Sequence, residues 1–225
     1  MRNTPAGMSK GSVQCRVFQK KGVEVKLRDN LRLKLAERIA VLLAKFTGKN
    51  EYKSQLNQFL NWLMESAYRT PKGLIYLDEN APNRHAANAA VIALQAASIF
   101  TDYRTMLTKF AQQQVHYMLG DSGRSYVIGF GVNPPQRAYH RGSSCPDVPK
   151  SCSWEQMKST RANPQVLFGA LVAGPDRLDN YEDRRDRRFN DVAVDHTAGL
   201  LTAVAGLKQD SQKARGFRIL GSWRG

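Results

Sequence analysis

The chain has 225 residues, with 34 Lys plus Arg against 19 Asp plus Glu and a formal charge of +15 at pH 7. That length predicts a single domain with a real core, and no stretch is apolar for long enough to span a membrane. Twelve basic and three acidic residues fall in the first fifty, but aromatic residues are not interleaved with them as a single-strand stacking platform requires, so nucleic acid is not expected as a partner.

Residues 1–40 read as a basic, poorly ordered N-terminal segment, with a short strand at Val13 to Val17. Met1 to Lys20 lacks the continuous apolar core of a signal peptide. From Leu31 the pattern turns helical. Leu35, Ile39, Leu42, Leu43 and Phe46 fall at helix spacing, and Thr47-Gly48 ends the run. Tyr52, Leu56, Phe59, Leu60 and Leu63 predict a second helix, and Thr70 to Leu74 a turn. Residues 84–100 are alanine-rich and predict a central, buried helix that its neighbours can approach closely. Thr101-Asp102 reads as the N-cap of the next helix, with Tyr103, Met106, Leu107 and Phe110 on one face and Gly120 at its end.

The long segment Tyr117 to Cys152 is glycine-rich and has no sustained helical period. Loops of this length inside a compact domain are usually functional. Near its middle sit Tyr139, His140 and Arg141. An aromatic, an imidazole and a guanidinium in a row suit contacts with a polar ligand, with a solvated turn as the plain alternative. Cys145 and Cys152 bracket a short proline-containing loop, which suits a local disulfide in a secreted protein, with two free thiols as the alternative. No CxxC or HxxxH accompanies them, so no metal site is expected. Trp154 to Ser159 predicts a short turn, Asn163-Pro164 opens an apolar run to Val172, and Gly174-Pro175-Asp176 closes it. A dense charged loop, Leu178 to Arg188, precedes a last helix over roughly Asp191 to Lys208, and residues 209–225 read as a basic tail. About six helices with long loops and little strand make an all-α fold.

Several ordered motifs carry a resemblance. Tyr117-Met-Leu-Gly-Asp, Ser125-Tyr-Val-Ile-Gly-Phe-Gly-Val-Asn-Pro-Pro, His140-Arg-Gly-Ser-Ser-Cys, Leu167-Phe-Gly-Ala-Leu-Val-Ala-Gly-Pro-Asp and Asn190-Asp-Val-Ala-Val-Asp recur in this order. Together they resemble glycoside hydrolase family 9, nearest to its animal endoglucanases, over about residues 41–208. The resemblance implies the C-terminal half of an (α/α)6 toroid of six helix pairs. It also implies an inverting endo-β-1,4-glucanase that is secreted, uses no cofactor and acts on β-1,4-glucan such as cellulose. Oligomeric state is left open.

Inversion needs a general acid at the leaving oxygen and a general base that activates water on the opposite face, about 6.5–9.5 Å away. By resemblance Asp191 stands where the family has its acid, a Glu, and Asp183 matches a second site carboxylate. Tyr139, His140, Arg141 and Arg84 match positions at the substrate. From the residues alone, Asp191 equally suits a helix N-cap and Arg84 an ordinary N-terminal turn. The chain departs from the family in several places. Asp191 is one methylene shorter than Glu, the loop between Tyr181 and Asp191 is one residue short, and Arg188 replaces an aromatic. Ala138-Tyr139 replaces Pro-His, and Asn80-Ala81 replaces a Trp-Gly pair, which removes a sugar-stacking aromatic. The Asp-Ala-Gly-Asp motif that carries the family's base does not occur. The resulting expectation is a chain that by itself binds glucan at most and does not hydrolyse it.

Overall fold

The computed structural model describes residues 30–221, and the side chains of residues 39–212. The strand expected at Val13 to Val17 and the left-over Cys15 lie outside the described residues. Eight α-helical segments occur among the described residues, and extended backbone there forms only isolated bridges. The all-α expectation therefore holds. Two four-residue helices, each barely one turn, were not legible in the sequence.

Helices α1 (Asn30–Thr47) and α2 (Asn50–Glu65) form a hairpin. Gly48 makes the tight link, at φ +66° with its amide donating to the Ala44 carbonyl. The expected apolar face of α1 is not the one that packs. Ala40, Val41 and Ala44 are buried, whereas Ile39 and Leu42 are half exposed and Phe46 is 79% exposed. The helix is apolar on two sides, so its period alone does not choose between them. Small residues face α2 and α3 because they permit the closer approach. On α2 the expected stripe does pack, with Leu56, Leu60 and Leu63 buried.

Helix α3 (Pro82–Ala96) is the central element, packed on α1, α4 (Arg104–His116) and α8 (Val194–Gly221). Ala86, Ala87, Ala90, Ala93 and Ala96 are fully buried in it. Close packing of α8 against α3 depends on Gly199, since a Cβ there would lie 2.8 Å from Asn88 Oδ1 and 3.3 Å from Ala87 Cβ. The chain enters α3 through Ala81, which is buried and left-handed at φ +56°, ψ +62°. An L-residue with a Cβ pays about 1 kcal/mol for that conformation, and the resembled family carries glycine here. Ala81→Gly is expected to raise stability by roughly 0.5–1 kcal/mol, because relief of the strain exceeds the added freedom of the unfolded chain. An unchanged or lower denaturation midpoint would contradict this.

Thr101 and Asp102 do not cap α4. They lie in a 3-10 turn, Thr101–Tyr103, and neither side chain accepts a capping bond. Helix α4 instead runs on into a π-turn, Tyr117–Asp121, within which Gly120, at φ +150°, breaks the helical backbone near the expected end. The apolar run after it lies against a second extended segment. Val127 bridges Leu171, Ile128 donates to Ala170 (3.0 Å), and Val172 donates to Tyr126 (3.1 Å). These bonds satisfy a buried backbone that has no helix of its own. The rest of the long segment holds helix α5 (Arg141–Ser144), and α6 (Trp154–Lys158) fills the expected turn. The charged loop ends in α7 (Arg187–Asn190). Helix α8 begins at Val194, three residues after its expected start, and continues to Gly221 through part of the expected tail. Arg104 ties it to α4 through Asp210 at 3.0 Å.

Candidate active site

Three extended segments meet at the end of the core. Tyr139 pairs with Asp191 across a parallel bridge, with the Tyr139 amide donating to the Asn190 carbonyl at 2.7 Å. Val192 in turn bridges Val172, and the Ala173 amide donates to the Asp191 carbonyl at 2.8 Å. Asp191 is therefore extended (φ −60°, ψ 136°), not a helix N-cap, because the backbone of residues 189–192 is already taken by these two neighbours. The pairing brings Tyr139 beside Asp191, with His140 and Arg141 next along the chain, although about fifty residues separate the two segments.

The two candidate carboxylates differ sharply. Asp183 accepts from the Gln136 amide (3.0 Å), the Arg137 amide (3.2 Å), the Arg137 guanidinium (3.2 Å) and Asn190 Nδ2 (2.8 Å). It fastens the Tyr139 strand to the charged loop. Asp191 is half-buried, and its carboxylate has no hydrogen-bond or ion-pair partner among the described residues. A carboxyl that must hand a proton to a substrate needs that freedom.

Asn190, fully buried, holds Asp191 in place. Its Nδ2 donates to Asp183 and to the Arg184 carbonyl (2.9 Å), and its Oδ1 accepts from the Tyr181 hydroxyl. Behind it runs an aromatic stack that periodicity could not reveal. Tyr117 lies flat on Tyr126 (5.7 Å), Tyr126 meets Tyr181 edge-on (5.2 Å), and Tyr181 meets Phe189 (5.7 Å). Buried Phe189 supplies the aromatic that Arg188 does not, one residue later in the shortened loop. Arg188 stays outside, with its guanidinium 5.1 Å from the Phe189 ring centroid.

His140 caps α5, its Nδ1 accepting from the Ser143 amide at 3.1 Å. In the neutral ring that bond leaves the proton on Nε2. His140 is exposed, so this N–H is available to an external acceptor. Arg141 is also exposed and lies over the Trp154 ring, 4.6 Å from its centroid. The disulfide between Cys145 and Cys152, with Cα atoms 5.3 Å apart, joins the helices that carry these two side chains. Arg84 is committed elsewhere, to Asp195 at 3.1 Å and to His85 Nε2 at 3.3 Å. A pocket of about 370 Å³ lies behind the Tyr139 strand, lined by Ile128, Pro134, Pro135, Ala138 and Leu167. None of the candidate site residues lines it, although Gln136, Asn163 and Gln165 do.

His196, 2% exposed at the start of α8, was not singled out by the sequence. Burial pushes its pKa below the ordinary value, Asp195 and Asp191 oppose the shift, and Arg84 reinforces it. The ring is thus neutral in the folded protein at pH 7. Below about pH 6.5 the unfolded chain takes up a proton that the folded chain refuses, so stability falls as pH drops through that value. The melting temperature is expected to decline between pH 7 and pH 5, and His196→Gln to flatten the decline. An equal slope in both proteins would remove His196 as the cause.

Comparison with known proteins places this geometry in context. Residues 15–204 match the model of glycosyl hydrolase family 9. The match begins well before residue 41, where the motif resemblance starts. Endoglucanase A of Bacillus pumilus is 35% identical over 184 residues, 75% of this chain and 27% of the relative. Among solved structures, the endoglucanase of the termite Nasutitermes takasagoensis is 48% identical with a TM-score of 0.74, covering 76% of this chain and 40% of that one. Cellulase Cel9M of C. cellulolyticum, solved in complex with cellobiose, is 30% identical with a TM-score of 0.68, covering 76% of this chain and 39% of that one. The chain thus spans well under half the length of these relatives.

Proposed function

Because this chain belongs to glycosyl hydrolase family 9, we propose that it serves endo-β-1,4-glucan hydrolysis by inversion, contributing the general acid and part of the glucan-binding surface. One observation supports the reading: Asp191, whose carboxylate makes no hydrogen bond or ion pair among the described residues, is paired through its backbone with Tyr139, the residue that precedes the exposed His140 and Arg141. In this scheme Asp191 protonates the glycosidic oxygen as the bond to the anomeric carbon breaks. His140 Nε2–H and the Arg141 guanidinium donate to sugar hydroxyls, and Tyr139 offers a ring and a hydroxyl beside them. Asp183 positions the strand and takes no proton from water, since its oxygens are already engaged by four donors. The water-activating base is not supplied by any motif of the 225 residues. Arg84 acts through Asp195 and His85, not on substrate.

The Cys145–Cys152 bridge suits an oxidising compartment, and we read the protein as secreted on that ground. No helix among the described residues is long and apolar enough to cross a membrane.

Calorimetric titration with cellotetraose tests the binding half of this proposal. The chain is expected to bind, and His140→Ala to weaken binding roughly tenfold, the worth of one to two hydrogen bonds. Absence of binding, or binding indifferent to His140→Ala, would overturn the assignment of this surface.

A further inference from the structure

The family's Trp-Gly pair before α3 is replaced here by Asn80-Ala81, so one aromatic surface for a sugar ring is absent. Another aromatic stands beside the proposed site. Trp154 opens α6 and is 60% exposed, an unusual state for the largest apolar side chain. It is held firmly. Ser153 and Gln156 form a reciprocal capping box at the start of α6, and the disulfide anchors Cys152 two residues before the indole. Ser144 Oγ lies 3.7 Å from Met157 Sδ, and Arg185 donates to the Gln156 carbonyl at 3.1 Å, tying α6 to α5 and to the charged loop. Arg141, beside His140 and two residues from the partner of Asp191, stacks on this indole.

We infer that Trp154 is a sugar-stacking subsite for the β-1,4-glucan chain, adjoining the His140–Arg141 donors. Every hydroxyl of a β-1,4-linked glucose is equatorial, so its ring presents two C–H faces and a polar rim. A rigid, exposed indole complements such a face. Arg141 covers one face of the indole, with its guanidinium 4.6 Å from the ring centroid, and holds the ring in place, so a sugar would stack on the opposite face of this 60% exposed side chain. Being one turn beyond the disulfide and not on the Tyr139 strand, Trp154 would meet a sugar displaced along the chain from the one beside Asp191. The inference rests on the proposed glucan site, and names one more of its subsites.

Titration of the 225-residue chain with cellobiose and cellotetraose tests it, read by calorimetry and by indole fluorescence. Trp154→Ala is expected to weaken cellotetraose about tenfold while changing cellobiose little, because only the longer ligand reaches the indole. Trp154→Phe keeps a stacking face and is expected to retain most of the affinity. The fluorescence change on cellotetraose binding is expected in the parent chain and absent from Trp154→Phe. If the parent binds cellotetraose but Trp154→Ala binds it equally well, or weakens both ligands alike, the subsite is wrong and the glucan site stands. If the parent binds neither sugar, the subsite falls together with the glucan site. Thermal denaturation of each variant identifies a loss that comes from misfolding, and Trp154→Phe, which keeps the packing, then decides the question by its fluorescence and affinity.

Discussion

Purified as the 225-residue chain, the protein is expected to release reducing sugar from soluble β-1,4-glucan about 10⁴–10⁶-fold more slowly than a family member with both carboxylates in place. A missing general base forfeits about 10²–10⁴-fold. On the proposed assignment, Asp in place of Glu withdraws the acid by one methylene, and a misplacement of about 1 Å can cost about a hundredfold. Asp183 does not fill the vacancy, because it already accepts from two backbone amides, a guanidinium and a side-chain amide. Lengthening the acid by Asp191→Glu is not expected to restore turnover by itself. Azide offers a sharper assay, since an anion attacks the anomeric carbon without needing a base to deprotonate it. With a substrate bearing a good leaving group, azide is expected to raise the rate and to yield a glycosyl azide. Robust hydrolysis without azide, abolished by Asp191→Ala, would show that these residues include a base after all.

Asp183→Ala is expected to destabilise the folded chain by about 2–4 kcal/mol. The substitution strands the Gln136 and Arg137 amides and removes one acceptor of the Arg137 guanidinium, which keeps the Thr160 and Asp183 carbonyls. Leaving such groups unpaired in a part-buried site costs about 1–3 kcal/mol each, offset where water reaches them. Asn190 keeps its bond to the Arg184 carbonyl and loses the one to Asp183. The strand that carries Tyr139, His140 and Arg141 should loosen with it, so glucan affinity should fall in parallel. Asp183→Asn keeps one acceptor oxygen and is expected to fall between the two. A denaturation midpoint left near that of the parent by Asp183→Ala would show that these bonds do not hold the strand. Denaturant unfolding of the three proteins separates these outcomes.

The sequence by itself determined the main helices α1 to α4 and the general position of α8, and it favoured the bridge between Cys145 and Cys152 over two free thiols. Each of these depends on a pattern that is local along the chain: an apolar period, a glycine stop, or two cysteines close enough in sequence to meet. Likeness of ordered motifs also marks Asp191, His140 and Arg141 as candidate site residues. Tertiary structure decided the remainder. Helix α1 is apolar on two sides, and only its packing on α2 and α3 selects Ala40, Val41 and Ala44 over Ile39, Leu42 and Phe46. Helices α5 and α7 have four residues each, too few to display a period. Asp191 occupies a position that an N-cap could fill, yet pairing with Tyr139 and Ala173 draws it into extended backbone and delays α8 to Val194. Asp183 was legible as a carboxylate, but its donors at Gln136 and Arg137 lie 46–47 residues away, so its commitment to holding the strand was not. The difference between a carboxylate without hydrogen-bond partners and one held by four donors arises from contacts between distant segments, which only the folded chain brings together.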